Sequence, residues 1–260
     1  MIKSTCSAVV SVCLIALFLS GCSSNSSNSG SSSGTPKQSS SSVAAGGVAP
    51  LLRIAKEARK TGNHDAATNF YNKVLQISPG NSEAYLGLAG IYIDANLLDA
   101  ALGYLKKAEQ YGADVNAARY LRGKIFLLQG NHRGAERILL QSECADAKNA
   151  LGTIYDEREE HTKAQSMYKQ VIAMDPNYID AYNNLGLSFL LSEKYKEALF
   201  YLENACALPE ANVAYRSNLA MAYGLSGSPS KARAVYAQDY EGDDLKERIA
   251  YLEDLIASRS

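Results

Sequence analysis

One pattern occurs six times between residue 48 and residue 241. In each copy a small residue lies 12 positions before an alanine. The small residues are Ala55, Ala89, Gly123, Gly152, Gly186 and Ala220, and the alanines are Ala67, Ala101, Ala135, Ala164, Ala198 and Ala232. Small side chains that face each other let two helices pack at short distance, while larger residues fill the surrounding space. The pattern therefore predicts a row of helical hairpins.

Four of the five spacings between these units are 34 residues, and the pattern resembles the tetratricopeptide repeat (TPR). The units begin near Val48, Ser82, Asn116, Ala145, Ile179 and Val213. Gly62, Gly130 and Gly227 fall between the two helices of their units, where a turn can require a positive φ. The resemblance implies an all-α TPR solenoid of about six helical hairpins over residues 48–241.

The third unit is shorter than the others. The step from Ala135 to Gly152 is 17 residues, whereas the equivalent step elsewhere is 22 residues. Five residues are therefore missing around residues 141–145, and we expect the solenoid to bend or change pitch there.

One more helix is predicted after the six units, in residues 242–260. Its apolar residues form a single stripe, and Asp243 or Asp244 can cap its first turn. The stripe consists of Leu245, Ile249, Leu252 and Ile256. Such a capping helix covers the apolar side that the last hairpin would otherwise expose.

The N-terminus has the pattern of an export signal that ends at a cysteine. Lys3 precedes an apolar segment, residues 8–19, that is shorter than a membrane-spanning helix. This pattern predicts a signal peptide over residues 1–21. The following Leu19-Ser20-Gly21-Cys22 resembles the lipobox of bacterial lipoproteins. The resemblance implies cleavage before Cys22, lipidation of Cys22 and, because Ser23 is not aspartate, location at the outer membrane. The alternative is that Cys22 is one more small residue of the export signal.

The segment between Cys22 and the first repeat has the composition of a disordered tether. Residues 23–42 include 12 serines, and Pro36 is the one apolar residue among them. Such a segment cannot bury enough apolar surface to offset the entropy of ordering. Residues 22–47 are therefore predicted to hold the repeat domain near the membrane, in the periplasm.

The charge balance argues against nucleic acid as a ligand. The chain has 26 basic and 27 acidic residues, with no long run of one sign, whereas nucleic-acid binding favours a basic face. Cys144 and Cys206 are the two cysteines beyond the lipobox. A disulfide between them is possible in an oxidising compartment, although the repeat pattern sets them well apart.

No residue pattern in the sequence indicates catalysis, a metal or a cofactor. His64, His132 and His161 occupy the same place in the turns of three units, and equivalent positions in neighbouring units lie about 10 Å apart. Three histidines at that spacing cannot ligate one zinc ion. The sequence GLSGS at residues 224–228 lacks the final glycine of a nucleophile elbow. We therefore expect a protein that is not an enzyme.

The TPR resemblance implies a protein-binding groove lined by the first helix of each unit. The expected apolar groove residues are Tyr120, Leu128, Leu187, Leu191, Met221 and Leu225. Leu127 and Leu190 lie nearby, but they can equally pack between units. Lys56, Arg59 and Lys60 would make the start of the groove basic, and Asp156 and Glu157 would make its middle acidic.

The C-terminal part of the chain contains NLAMAYGLSG at residues 218–227, followed later by Ala250-Tyr251-Leu252. Together with the signal, tether and repeats, these residues resemble the TadD-like lipoproteins of tight-adherence (Flp) pilus systems, whereas Ile249 departs from the pattern. The resemblance implies an outer-membrane assembly factor, similar to a pilotin, whose protein partners are the secretin or other pilus-assembly components. The alternative function is a periplasmic scaffold that recruits cell-wall enzymes or other envelope complexes.

Overall fold

The structure, a computed structural model, describes residues 47–258. Over this range the chain forms 13 α-helices joined by short turns and contains no strand. The predicted all-α solenoid is confirmed. The predicted signal peptide, the lipobox cysteine Cys22 and the tether up to residue 46 lie outside the described residues.

The described chain divides into two compact units between Cys144 and Ala145. The N-terminal unit holds three hairpins. Its helices are α1 (Val48–Lys60), α2 (His64–Ile77), α3 (Ser82–Asp94), α4 (Leu98–Gln110), α5 (Val115–Leu128) and α6 (His132–Leu139). The first helices of these hairpins begin at the predicted residues, except that α5 begins one residue before Asn116.

The C-terminal unit holds the other three hairpins and the last helix. Its helices are α7 (Ala145–Glu157), α8 (His161–Met174), α9 (Ile179–Leu191), α10 (Tyr195–Ala207), α11 (Val213–Leu225), α12 (Pro229–Tyr236) and α13 (Gly242–Ala257). All three first helices, α7, α9 and α11, begin at the predicted residues.

The small residues of the repeat lie where the two helices of a hairpin cross. The six marker alanines on the second helices have no exposed surface. A Cβ added at Gly186 on α9 would lie 2.6 Å from Leu202 Cγ and 3.2 Å from the Ala198 carbonyl oxygen on α10. A larger residue at Gly186 would therefore push the two helices apart, which explains why the marker is small.

All six hairpins turn through one residue with a positive φ, 14 positions after the start of the unit. Gly62, Gly130 and Gly227 have φ values of 75°, 71° and 82°, as predicted. The other three hairpins use Asn96, Glu159 and Glu193, with φ values of 56°, 62° and 59°. A glutamate in this left-handed region is strained, so the turn geometry is imposed by the packing of the two helices rather than by a glycine.

The third unit, from which five residues are missing, has a short second helix, as the sixth unit also has. Helix α6 has 8 residues, whereas the second helices α2 and α8 have 14 each. After α6 the chain is fastened to the start of α5: the Ser142 hydroxyl donates to the Asn116 carbonyl oxygen at 3.0 Å, and the Glu143 N–H donates to Asn116 Oδ1 at 3.1 Å. The boundary between the two units lies one residue further along the chain, after Cys144. The predicted bend or change of pitch at this point stays a prediction.

Helix α13 packs on α11 and α12. Leu252 is buried and fills the space beside Gly224, where a Cβ would lie 2.5 Å from Leu252 Cδ2. The predicted side-chain cap is wrong: the helix follows Glu241 with no side-chain cap, and Asp243 and Asp244 lie in its first turn. In that position their charges favour the helix through its dipole instead.

Candidate protein-binding faces

Within each unit the first helices form one layer. Helix α3 contacts both α1 and α5, and α9 contacts both α7 and α11. In the part of the chain that the structure describes, no comparable contact joins consecutive second helices. Because the first helices lie closer together, they form the inner side of each curved unit. We call the surface of α1, α3 and α5, and that of α7, α9 and α11, the inner face of the respective unit.

The prediction that Leu187 and Met221 are accessible on the inner face is wrong. Leu187 is 1% exposed and Met221 is 6% exposed, because α9 and α11 pack against each other and cover the apolar side chains between them. Leu191 and Leu225, one helical turn further along, are half-buried. A glutamate in place of Leu187 or Met221 would therefore be a buried charge that unfolds the unit, rather than a probe of binding.

The remaining two predicted groove residues belong to the N-terminal unit. Tyr120 is half-buried and packs against the core of the second and third hairpins, whereas Leu128, at the end of α5, is 49% exposed. Leu190 has no exposed surface, so it packs in the core, the alternative that the sequence left open, and Leu127 is half-buried. The six predicted residues thus fall in two units, and Leu128 is the one with a mainly exposed side chain.

A row of asparagines, which the sequence analysis missed, crosses the inner face of the C-terminal unit. The Asn184 amide on α9 donates to Asn149 Oδ1 on α7 at 3.2 Å, Asn183 donates to Asn184 Oδ1 at 3.2 Å, and Asn218 on α11 donates to Asn183 Oδ1 at 2.8 Å. Asn183 and Asn218 are buried, and Asn149 and Asn184 are half-buried. The buried Asn218 Oδ1 has no hydrogen-bond partner among the residues that the structure describes.

The half-buried members of this row retain hydrogen-bonding capacity. An asparagine side chain has two N–H donors and an oxygen with two lone pairs. Asn184 uses one donor and one lone pair within the row, and Asn149 Oδ1 accepts one bond. The remaining groups match the alternating N–H and C=O groups of a peptide backbone. A sequence signal existed, since Asn184 and Asn218 each lie two positions before the small marker of their unit.

The predicted acidic middle of the groove is wrong for Asp156. This side chain on α7 has no exposed surface and accepts hydrogen bonds from the Ser188 hydroxyl at 2.7 Å, His161 Nδ1 at 2.8 Å and the Tyr168 hydroxyl at 3.1 Å. Burial raises the pKa of Asp156, and the hydrogen bonds from His161 and Ser188 oppose that effect. The same carboxylate, together with burial, raises the pKa of Tyr168 well above its usual range.

The three histidines that were considered as metal ligands lie at the starts of helices. His64, His132 and His161 are the first residues of α2, α6 and α8, as the equivalence of their repeat positions predicts. No group of three or more potential ligands among histidine, cysteine, aspartate and glutamate comes together within residues 47–258. Cys144 and Cys206 are free thiols, and burial raises the pKa of Cys206 to about 11. None of the helices described is both long enough and apolar enough to span a bilayer.

The predicted basic start of the groove is present in the N-terminal unit. Lys56, Arg59 and Lys60 line a cavity of about 240 Å³ together with Tyr71 and Asp94. The two inner faces therefore differ in chemistry: neutral amides lie on the C-terminal unit and cations on the N-terminal unit.

Comparison with protein families identifies the repeats. Three family models, each described as a tetratricopeptide repeat, match residues 58–125, 145–178 and 167–200. The chain is a TPR protein. Proteins of this family are typically non-catalytic scaffolds that bind other proteins.

Curated proteins match part of the chain at low sequence identity. The TPR protein is 22% identical over 173 residues to the BBSome complex member BBS4 homolog of Drosophila melanogaster, which matches 66% of the chain. It spans less than a third of the length of the curated relatives it matches.

Several solved structures match most of the chain, among them the following two. One is PilW, titled a widely conserved type IV pilus biogenesis factor, with 17% identity, a TM-score of 0.58, and 77% of this chain and 97% of that chain covered. The other is PilF of Pseudomonas aeruginosa, with 14% identity, a TM-score of 0.59, and 78% and 97% covered. At these identities the likeness establishes the fold.

Proposed function

We propose that this TPR protein is a lipoprotein, anchored at the outer membrane through Cys22, that acts as an assembly factor for a tight-adherence (Flp) pilus secretion machine. Its repeat domain lies in the periplasm and binds the secretin or another pilus-assembly component. It acts as a binding protein without a cofactor.

The binding part of the proposal rests on the asparagine row of the C-terminal unit. Its half-buried amides can donate to and accept from the backbone of an extended segment, whatever the side chains of that segment are. Asn218 Oδ1 is a buried acceptor with no partner in the described part of the chain, and leaving such a group unpaired costs free energy. A bound segment that reorganises the row and pairs this oxygen would recover part of that cost.

The pilus part of the proposal is supported by three observations of different kinds. Leu19-Ser20-Gly21-Cys22 has the pattern of a lipobox, and the C-terminal sequence is similar to the TadD-like lipoproteins. In addition, the chain shares its fold over 97% of the length of PilW, a type IV pilus biogenesis factor. Each agrees with an outer-membrane lipoprotein that assists pilus assembly.

Site-specific photo-crosslinking in the native bacterium tests the proposal. We would replace Asn149, on the inner face of the C-terminal unit, by the photoreactive residue p-benzoylphenylalanine. The matched control is Asn204, an asparagine on the second helix α10 of the same unit that is half-buried like Asn149. We expect crosslinks to the secretin or a pilus-assembly protein from position 149 and few from position 204.

The same experiment distinguishes the proposed pilus-assembly function from the alternative, a periplasmic scaffold. Capture of cell-wall enzymes from position 149 would support the periplasmic scaffold instead. Crosslinks from position 204 alone would move the binding surface to the second helices. In a parallel assay, the pair Asn149→Ala and Asn184→Ala should lower recovery of the partner, whereas Asn204→Ala should not.

A further inference from the structure

We infer that the N-terminal unit carries a second binding site, specific for the acidic side chains of a protein segment, formed on its inner face by Lys56, Arg59 and Lys60. The inference rests on the proposed function to the extent that the ligand is part of a protein partner. It adds a site in the other unit, with a different chemistry.

The site is a cavity rather than a scatter of surface cations. Lys56, Arg59 and Lys60 of α1, Tyr71 of α2 and Asp94 of α3 line a volume of about 240 Å³. A neighbouring cavity of about 360 Å³ shares Lys56 and is lined in addition by Arg53, Glu57 and Glu83. The two cavities follow α1 along the inner face, so an extended segment could occupy both.

Asp94 shows how a carboxylate is held here. Its Oδ1 lies 3.0 Å from Lys124 Nζ on α5, and its Oδ2 lies 3.5 Å from Arg59 Nη2 on α1. Cations from the first and third hairpins thus converge on one carboxylate. Asp94 is the one acid among the residues that line the 240 Å³ cavity, against the three cations of α1, so the lining keeps an excess of positive charge.

The internal ion pairs of the site can be exchanged for a ligand. Lys56 pairs with Glu83, but the two side chains are 60% and 47% exposed, and exposed ion pairs contribute little stability. An incoming carboxylate can therefore bind Lys56 at small cost. Lys56 would then contact a ligand in either cavity, because it lines both.

Arg59 supplies the unsatisfied donor. Its Nε is buried and has no hydrogen-bond partner among residues 47–258. Gly90 makes room for the guanidinium, because a Cβ there would lie 2.5 Å from Arg59 Cζ. Guanidinium groups pair with carboxylates through two parallel N–H donors, and such charged hydrogen bonds are stronger than neutral ones. A carboxylate from a bound segment is therefore the acceptor that fits Nε.

The shape of the site favours a peptide over a membrane surface. The cations lie on the inner side of the unit, in cavities sized for individual side chains, whereas a lipid surface requires cations on an outer, flat or convex face. Glu57 and Glu83 at the edge of the second cavity would repel a continuous layer of phosphate. An anionic peptide can instead place single carboxylates between these acids.

Fluorescence anisotropy with defined peptides tests the inference on the full chain. The probe is a fluorescein-labelled hexaglutamate peptide with an amidated C-terminus, measured at about 50 mM NaCl so that screening is weak. We expect binding of this peptide and none of the amidated hexaglutamine peptide. The double variant K56Q/K60Q should raise Kd about fivefold, because two cations of the cavity are lost.

Two further variants separate the cavity from general charge. The control K73Q/K106Q removes the same charge from exposed positions on the second helices α2 and α4, and it should change Kd by less than about twofold. Gly90→Ala keeps the charge but forces the Arg59 guanidinium to move, so it should also weaken binding. Circular dichroism establishes that each variant is folded.

Each other outcome overturns the inference. Equal loss with both double variants would mean non-specific attraction, and failure of hexaglutamate to bind would mean no acidic site. Equally tight binding of hexaglutamine with a free C-terminus would assign the site to a terminal carboxylate. Binding of phosphatidylglycerol vesicles without binding of hexaglutamate would assign it to lipid. None of these results affects crosslinking from Asn149, so this inference can fail while the proposed function holds.

Discussion

Asp156 is a carboxylate with no exposed surface in a scaffold whose other acids are largely on the outside. Three side-chain donors from α8 and α9 converge on it, so it joins the fourth and fifth hairpins through polar contacts rather than apolar packing. Desolvation favours the neutral acid, and the donors favour the carboxylate. Because desolvation is the larger effect, the pKa of Asp156 is raised in the folded protein.

The raised pKa predicts the direction of a pH effect on stability. Folding favours the protonated form of Asp156, so its contribution is fully present below the pKa of an unfolded aspartate, about 3.9. The contribution is lost as the pH rises through the higher folded-state pKa. We therefore expect the free energy of unfolding of the wild type, relative to Asp156→Asn, to be larger at pH 4 than at pH 7. Urea denaturation at both pH values measures it.

A matched control is Glu197→Gln, since Glu197 is an exposed acid on α10 of the same unit. Its effect on the free energy of unfolding should differ little between the two pH values. If the wild type instead gained stability relative to Asp156→Asn on going from pH 4 to pH 7, the hydrogen bonds from His161, Tyr168 and Ser188 would outweigh desolvation.

At the scale of residues, the sequence predicts position on a helix better than exposure. Leu187 and Met221 lie on the first-helix side of their hairpins, as predicted, but whether such a side chain is open depends on how closely the next first helix packs. The distance between two first helices cannot be predicted from the sequence of one unit alone. Asn184 and Asn218 were missed for a related reason, because a single asparagine in a helix has no visible partner until three helices are placed together.

The hairpins themselves were predictable because each depends on contacts within about 34 residues. The markers Ala55 and Ala67, for example, specify one helix crossing without reference to the rest of the chain. Gly62 and Gly130 likewise specify their turns. The turns at Glu159 and Glu193 could not be recognised by residue type, since there the packed helices impose a positive φ on an unfavourable residue.

The space between neighbouring helices can be tested at Gly87, which faces the preceding hairpin, and at Gly103. At Gly87 on α3, an added Cβ would lie less than 3.0 Å from three ring atoms of the buried Tyr71. We expect Gly87→Ala to lower the free energy of unfolding by about 1–3 kcal/mol, as overpacking does. At Gly103 on α4 nothing lies within 4 Å, so Gly103→Ala should raise it by about 0.5–1 kcal/mol through helix propensity.

Thermal and urea denaturation of the two variants measures this contrast. The two changes in the free energy of unfolding must have opposite signs. The substitution is the same in both helices, and only the space available to the new methyl group differs. A Gly87→Ala variant as stable as the wild type would show that the Tyr71 ring moves aside freely, and the tight crossing would then not explain the small residue at that position.

At the scale of the whole molecule, the two units carry different surfaces. The N-terminal unit has a basic inner face around Arg59, and the C-terminal unit has an amide inner face around Asn184. A repeat protein can combine such faces because each hairpin depends mainly on its neighbours, so that surface residues change without loss of the fold. The third hairpin is five residues shorter than the usual repeat at its end, and this is where the chain divides into the two units.

Attachment of the whole molecule to the membrane is predicted to depend on one thiol. If Cys22 carries acyl chains, each buried methylene contributes about 0.8 kcal/mol to membrane affinity, so two or three chains hold the protein essentially permanently. Cys22→Ala should therefore abolish incorporation of labelled palmitate and move the protein from the outer-membrane fraction to the soluble periplasm, or leave it as a precursor.

Cys13→Ala, a change of the same kind within the predicted signal peptide, should leave labelling and fractionation unchanged. Because residues 48–257 hold all the helices described, circular dichroism of Cys22→Ala should match the wild type. Retention of Cys22→Ala in the outer membrane at wild-type levels would show that something other than a lipid on this cysteine holds the protein there.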